Sequence, residues 1–248
     1  MDKIVKEKNT NYDVIYNSSA CDQIKAELGT VEKDSCGHFG RFDKEKFRGS
    51  KILKILLRKK FTSILDIGPG KLEAVDELIK KNKKVDICEF DDGHYFNNKK
   101  LTTDQVNECF FGDFNEIEFN KTWDAIWCSH VLEHQLNPNF FLKKINMLLK
   151  ENGYLAIVVP PRKPIIVGGH VSLWNAGLLL YHLVLAGFDC SEAQVLQYDY
   201  NIGIILKKKK INLPKIHHDV GDLLILKKYF PFDISTDNFN GDIFNLNI

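Results

Sequence analysis

The sequence predicts an α/β protein with a doubly wound, mostly parallel sheet covered by helices on both faces. Three observations carry this. Short apolar runs of strand length alternate with stretches of helical periodicity from about residue 50 to residue 208. Polar and glycine residues gather just after four of those runs: Asp66-Ile67-Gly68-Pro69-Gly70, Glu89-Phe90-Asp91-Asp92, Gly112-Asp113-Phe114 and Ser129-His130. Ligands in such sheets bind at the carboxyl ends of the strands, so that placement is the one the fold demands. Lastly, 248 residues with 44% hydrophobic and 27% charged side chains have ordinary globular composition, enough for one large domain with a modest extra lobe.

The elements follow in chain order. Residues 50–60 carry Ile52, Leu53, Leu56 and Leu57 at helical spacing. A strand at 63–67 leads into a helix at 72–80, and a second strand covers 84–90. A short strand at 109–111 and a fourth at 123–128 come next. A helix from about 139 to 150 stops at Glu151-Asn152-Gly153, and the strand at 154–159 ends at Pro160-Pro161. A helix at 173–186 stops at Gly187. Residues 195–200 and 202–208 read as a closing hairpin around Asn201.

Several classes are excluded. Lys and Arg number 34 against 33 Asp and Glu, so no global basic field recruits nucleic acid. No apolar stretch reaches bilayer length, and the start of the sequence has no apolar signal region, so a cytoplasmic protein is expected. The six cysteines contain no Cys-x-x-Cys pair, which suits free thiols in a reducing compartment.

The first glycine loop points to a nucleotide. Gly68 and Gly70 lie between a strand and a helix, where glycine lets the backbone approach a ligand. Glu89, nineteen residues after Gly70, stands at the end of the next strand, where a carboxylate can accept from both ribose hydroxyls. Phe90 offers a flat face for a purine, and Asp113 an acceptor for its amine. A dinucleotide loop needs a third glycine where this chain has Glu73, an acid badly placed beside a pyrophosphate. A ligand without phosphates, carrying an amino group and a sulfonium, suits Asp66 and Glu73 better.

Ser63-Ile64-Leu65-Asp66-Ile67-Gly68-Pro69-Gly70 resembles the first motif of the class I S-adenosylmethionine-dependent methyltransferases. Val85 to Asp91 resembles their ribose-binding strand end, and Phe111-Gly112-Asp113-Phe114 their adenine-contacting turn. Trp123-Asp124-Ala125-Ile126-Trp127-Cys128-Ser129-His130-Val131-Leu132-Glu133-His134 is similar to their fourth-strand motif, and Gly153 to Pro160 to their fifth strand. The third glycine of their first motif is Leu72 here. The resemblance implies a Rossmann-like sheet of seven strands, the last antiparallel. It also implies cofactor roles. Asp66 orders the glycine loop, and Gly68 and Gly70 pass the methionine and ribose. Glu89 holds the ribose, while Phe90 and Phe114 flank the adenine. Asp113 bonds its amine, and Ser129 lines the methionine end.

The acceptor side is expected around His130, Glu133 and His134, which share one face if the segment is helical, with His170 from the loop after the fifth strand. Three readings stand open: structural histidines, a histidine general base for a hydroxyl, or a divalent ion, Mg²⁺ or Mn²⁺, held by His130, Glu133, His134 and His170. The last is similar to small-RNA 2′-O-methyltransferases, which place Glu-x-x-Glu-His and a later His around a metal; His130 stands at their first Glu. Histidines near the transferred methyl favour an oxygen acceptor.

Residues 168–181, with Asn201-Ile202-Gly203-Ile204-Ile205 and the later Phe230-Pro231 and Phe239-Asn240-Gly241-Asp242-Ile243, resemble methyltransferases of bacterial surface-polysaccharide gene clusters. The implied acceptor is a sugar, a nucleotide-sugar or a small phosphorylated precursor. Arg41, Arg48, Arg162 and Lys163 are candidates for its phosphate, with Arg162-Lys163 foremost. The rival functions are N-methylation of a small metabolite and nucleotide binding without catalysis. Residues 1–60 are expected to cap the cofactor cleft, with Gly37 to Phe42 reaching substrate. Residues 61–208 are expected to form the core, and 209–248 an extension packed on the sheet edge or on a second subunit of a homodimer.

Overall fold

The computed structural model describes residues 46–90 and 106–248, together with the backbone of two short strands, β1 (Glu32–Lys33) and β2 (Phe39–Gly40). Those two strands pair antiparallel within a unit that ends at Lys44. Arg41, the expected substrate contacts of residues 37–42 and the cap role of the first 45 residues lie outside the described residues, as does Asp91.

The second unit runs from Glu45 to Ile248 and holds the main sheet. Its first helix, α1 (Ser50–Leu56), presents Ile52, Leu53 and Leu56 to the core, all nearly inaccessible. The expected boundary at residue 60 therefore moves: residues 46–60 belong with the sheet, where this apolar stripe is buried. Then come β3 (Ser63–Ile67), α2 (Glu73–Lys80), β4 (Lys84–Glu89), β5 (Glu108–Phe111) and β6 (Trp123–Ser129). The helix α3 (Pro138–Leu148) starts where Asn137 Oδ1 accepts from the Phe140 N–H at 3.1 Å, and Pro138 fills the first helical position. The strand β7 (Leu149–Val159) follows directly. The helix α4 (Ala176–Leu185) starts three residues later than its periodicity suggests, because Asn175 accepts from Leu178 N–H at 2.8 Å and caps it there.

The strands β8 (Gln194–Tyr198) and β9 (Asn201–Lys207) form the closing hairpin; α5 (Asp222–Leu226) and β10 (Asn245–Leu246) end the chain. The sheet order is β10-β8-β9-β7-β6-β3-β4-β5. Six strands run parallel, while β9 and β10 run against them. The sheet thus has eight strands, not seven. The extra one is a two-residue strand from the C-terminal segment, pairing Asn245 with Leu196 and Leu246 with Val195.

The core divides into two layers, one on each face. One holds Trp123, Phe141, Trp174 and Phe188, and extends to Tyr229, Phe230 and Ile234 of the C-terminal segment; the other holds Ile52, Leu56, Val75, Leu78 and Trp127. Covering both faces is why the parallel strands read as continuous apolar runs. The chain leaves β3 toward β4 and β5, then returns through β6 toward β7 on the other side. The switch point therefore lies at the carboxyl ends of β3 and β6, where such sheets hold ligands. Among the described residues no helix is long and apolar enough to cross a membrane.

Candidate active site

A cleft of about 250 Å³ opens at this switch point. Gly68, Gly70, Glu89, Phe90, Asp113, Phe114, His130 and His134 line it, so four separate strand ends converge as their positions predict. Gly112 of the expected turn also lines it, together with Val131, Gln135 and Phe141, for which the sequence assigns no role.

The glycine loop is tightly set. Gly68 has φ +69°, and a Cβ there would stand 2.5 Å from Val131 Cγ2, so only glycine fits. Its N–H donates to Cys88 O at 2.9 Å, tying the loop to β4. Glu89 is held from both sides. One oxygen accepts from the Phe90 N–H at 2.9 Å and the other from the Gly70 N–H at 3.4 Å. Each oxygen keeps a further lone pair. Phe90 is half exposed at the rim. Asp113 gives one oxygen to the N–H of Asn115 at 2.8 Å, fixing the turn after β5. Phe114 is nearly buried, edge-on to Phe141 at 4.9 Å, and forms the cleft floor rather than an open platform.

Asp66 is 1% exposed, and neither carboxylate oxygen accepts a hydrogen bond. Burial, and then the nearby charge of Glu89, push its pKa well above the ordinary carboxylate value. A buried acid without a donor is costly unless something supplies one. Ser129 departs from expectation: it does not line the cleft, and its hydroxyl instead faces the turn at Gly49 on the α1 side of the sheet. Strand alternation explains this, since Ser129 shares a face with Trp127.

The acceptor-side residues are not on one α-helical face. His130 has φ +57°, a conformation rare for a non-glycine residue, and only Leu132–His134 form a single 3₁₀ turn. The positive φ breaks the helix before it starts. His130 turns away to Asn201, with Nε2 3.1 Å from Oδ1, and stacks on Tyr200 at 6.0 Å. Its Nδ1 stands 3.3 Å from Glu133 Oε1 without the alignment of a hydrogen bond.

The residues brought together are Glu133, His134 and His170, whose ligating atoms all lie within 4.8 Å of one another. His130 is outside this group, which corrects the expected set of four. Glu133 is fully buried with both oxygens unpartnered, while its backbone carbonyl accepts from the Val171 N–H at 2.8 Å and pins the His170 loop. His134 Nδ1 lies 2.7 Å from Gly169 O. A carbonyl only accepts, so Nδ1 carries the hydrogen, and the Nε2 of the neutral ring presents a lone pair 3.8 Å from Glu133. The His170 ring meets His134 edge-on at 5.0 Å. Burial, with the positive fields of His134, His130 and Lys163, holds His170 below the ordinary histidine value despite Glu133.

Of the expected phosphate ligands, Arg162 pairs with Asp242 at 2.9 Å, and Arg48 and Lys163 both stand over the Tyr200 ring.

Comparison with known proteins agrees with this geometry. The methyltransferase domain family matches residues 39–191. An O-methyltransferase family protein from Burkholderia thailandensis superposes with TM-score 0.51 at 11% identity, covering 65% of this chain and 56% of its own. A SAM-dependent methyltransferase from Aquifex aeolicus gives 0.53 at 21%, covering 66% and 90%. The Burkholderia thailandensis 1,6-didemethyltoxoflavin-N1-methyltransferase, with its substrate and S-adenosylhomocysteine bound, gives 0.53 at 16%, covering 65% and 77%. The chain spans little more than half the length of the first of these. No curated protein matches the sequence. The chain belongs to the methyltransferase domain family and is built on the fold of the class I S-adenosylmethionine-dependent enzymes.

Proposed function

We propose that the cleft binds S-adenosylmethionine and that the chain transfers its methyl group to an oxygen of a small-molecule acceptor in the cytoplasm. The observation that carries this reading is the cleft itself. The crowded loop at Gly68 and the doubly anchored Glu89 form one wall, and Asp66, a buried acid without a donor, precedes that loop on β3. A cationic ligand with a ribose fits that wall: its positive groups offset Asp66, and its hydroxyls meet the spare lone pairs of Glu89. Phe90 and Asp113 stand where the base would lie, while His134 lines the other end of the same cleft. When bound, the cofactor supplies an electrophilic methyl. The protein's part is to place the acceptor in line and exclude water.

The oxygen acceptor is supported by Glu133, His134 and His170. His134 Nε2, with its tautomer set by Gly169 O, is placed to take a hydroxyl proton, and Glu133 stabilises the resulting imidazolium. The favoured acceptor is a sugar, nucleotide-sugar or small phosphorylated precursor of a bacterial surface polysaccharide. Its support is the resemblance of residues 168–181 and the cations beside the site.

A metal reading is favoured by one specific observation, the buried unpartnered Glu133 facing two imidazoles. Two histidines and one carboxylate suit Mn²⁺, Fe²⁺ or Zn²⁺ better than Mg²⁺, which prefers oxygen ligands.

Calorimetric titration with S-adenosylmethionine and S-adenosylhomocysteine tests the cofactor reading. Both should bind, and Glu89→Ala should weaken them roughly ten- to a hundred-fold by removing charge-assisted bonds to the ribose. No binding, or binding indifferent to Glu89→Ala in a folded variant, rejects it.

A further inference from the structure

We propose that a recess at the amino ends of β3, β4 and β6 is a second binding site, for a small molecule carrying two linked phosphoryl groups. It lies at the opposite end of the strands from the cleft. Thr62 and Gly68 stand six residues apart along β3, or roughly 20 Å. The inference goes beyond the cofactor reading and does not rest on it.

The recess has a volume of about 580 Å³, within the range of small-ligand sites. Lys59, Lys60, Lys83 and Lys150 all line it. Two anchors fix their arrangement. Lys83 Nζ donates to Phe61 O at 2.7 Å and stands 4.2 Å from the centre of the Phe61 ring. Lys150 Nζ pairs with Asp124 at 2.8 Å, and the other Asp124 oxygen accepts from the N–H groups of Thr62 and Ser63 at 3.1 and 2.8 Å. Residues 59–62 are thus flanked by Lys83 on the β4 side and by Lys150 on the β6 and β7 side.

Both acids of the lining are already matched. Asp124 is held as just described, and Glu151 pairs with Lys208 at 3.3 Å. Among the described residues, Lys59, Lys60 and Lys83 have no carboxylate partner, nor do the neighbouring exposed Arg58, Lys81 and Lys84. Helix dipoles explain part of this charge, since α1, α2 and α3 each end just before a strand begins. Each helix end contributes about half a negative charge, so three account for about one and a half, well short of six cations. The surplus calls for an external anion.

The lining selects the class of anion. Lysine ammonium groups meet phosphate as point charges, and Lys83 keeps two N–H groups beyond the one given to Phe61 O. A phosphate monoester carries close to two negative charges, and a second linked phosphoryl group adds about one more, matching Lys59, Lys60 and Lys83. Phe61 is 8% exposed beneath Lys83, so the recess presents no open ring on which the bases of a nucleic-acid strand would stack.

The test is calorimetric titration of inorganic diphosphate into the full chain at low salt, without divalent ions. Diphosphate should bind, and orthophosphate at equal ionic strength should bind more weakly. Lys59→Ala, Lys60→Ala and Lys83→Met should each weaken diphosphate about two- to five-fold, the range of a solvent-facing ion pair. Lys143→Ala, which removes the same charge from an exposed position of α3 outside the recess, should leave binding unchanged. Absence of diphosphate binding, or binding that none of the three recess variants weakens while the fold is intact, overturns the proposal. An equal loss in Lys143→Ala shows a general charge effect and overturns it too. Orthophosphate binding as tight as diphosphate overturns the assignment of two phosphoryl groups. A single-stranded oligonucleotide or phosphatidylglycerol vesicles held more tightly through the same lysines would make this a surface for a larger partner and overturn the small-molecule site.

Discussion

Gly68→Ala tests the tight setting of the glycine loop. The new methyl would meet Val131 Cγ2 at 2.5 Å on a backbone with φ +69°. The left-handed conformation costs an alanine about 1–2 kcal/mol. Forcing a methyl into occupied space costs about 1–3 kcal/mol more. For a domain of this size the combined effect is a fall of roughly 4–20 °C in Tm. The two contributions separate, because only the second depends on Val131. Gly68→Ala, Val131→Ala and the double variant are compared by thermal unfolding and by S-adenosylhomocysteine titration. The double variant should be more stable than the sum of the singles by at least about 1 kcal/mol, and should regain part of the lost affinity. Strict additivity in both measurements would refute the contact as the reason for glycine.

Asp66→Asn should raise the Tm of the unliganded protein at pH 8 and lower its affinity for S-adenosylmethionine. The folded pKa of Asp66 is raised, so the folded chain binds that proton more tightly than the unfolded chain. The associated stability is complete below the unfolded value, near ~3.9, and is lost as pH rises through the folded pKa. The gain from the variant should therefore shrink toward pH 5, and a variant less stable at pH 8 would reject the account. On the metal reading, chelation should abolish turnover and Mn²⁺ should restore it, while His134→Ala and His170→Ala lose bound metal but keep cofactor affinity. Turnover indifferent to chelator but lost in His134→Ala supports the metal-free base; indifference to all three leaves the histidines structural.

Legibility followed the range of the interactions. The strands at Ser63–Ile67, Lys84–Glu89 and Trp123–Ser129 were readable because burial on both faces makes an apolar run with polar ends. The proposed cofactor wall was readable for the same reason: Glu89 ends one strand and Asp113 lies two positions past the next, where topology brings them together. The strand at Asn245–Leu246 was not, since two residues carry no periodicity and depend on a partner fifty residues away. Tyr200 and Asn201 reach His130 only through the antiparallel pairing of β9 with β7, which no local pattern reports. Spacing alone also misjudged His130, Glu133 and His134. Those intervals suit an α-helix, whereas the chain makes one 3₁₀ turn after a left-handed residue, burying Glu133 and turning His130 aside. The cluster with His170 survives because the carbonyl groups of Gly169 and Glu133 hold that loop in place.

The central claim is that the cleft at the carboxyl ends of β3, β4, β5 and β6 holds S-adenosylmethionine. A crystal structure of the chain with S-adenosylhomocysteine tests it most directly. The account predicts ribose hydroxyls on Glu89, the adenine beside Phe90 and Asp113, and the sulfur turned toward His134. Ligand density elsewhere, or a ribose without contact to Glu89, would contradict it.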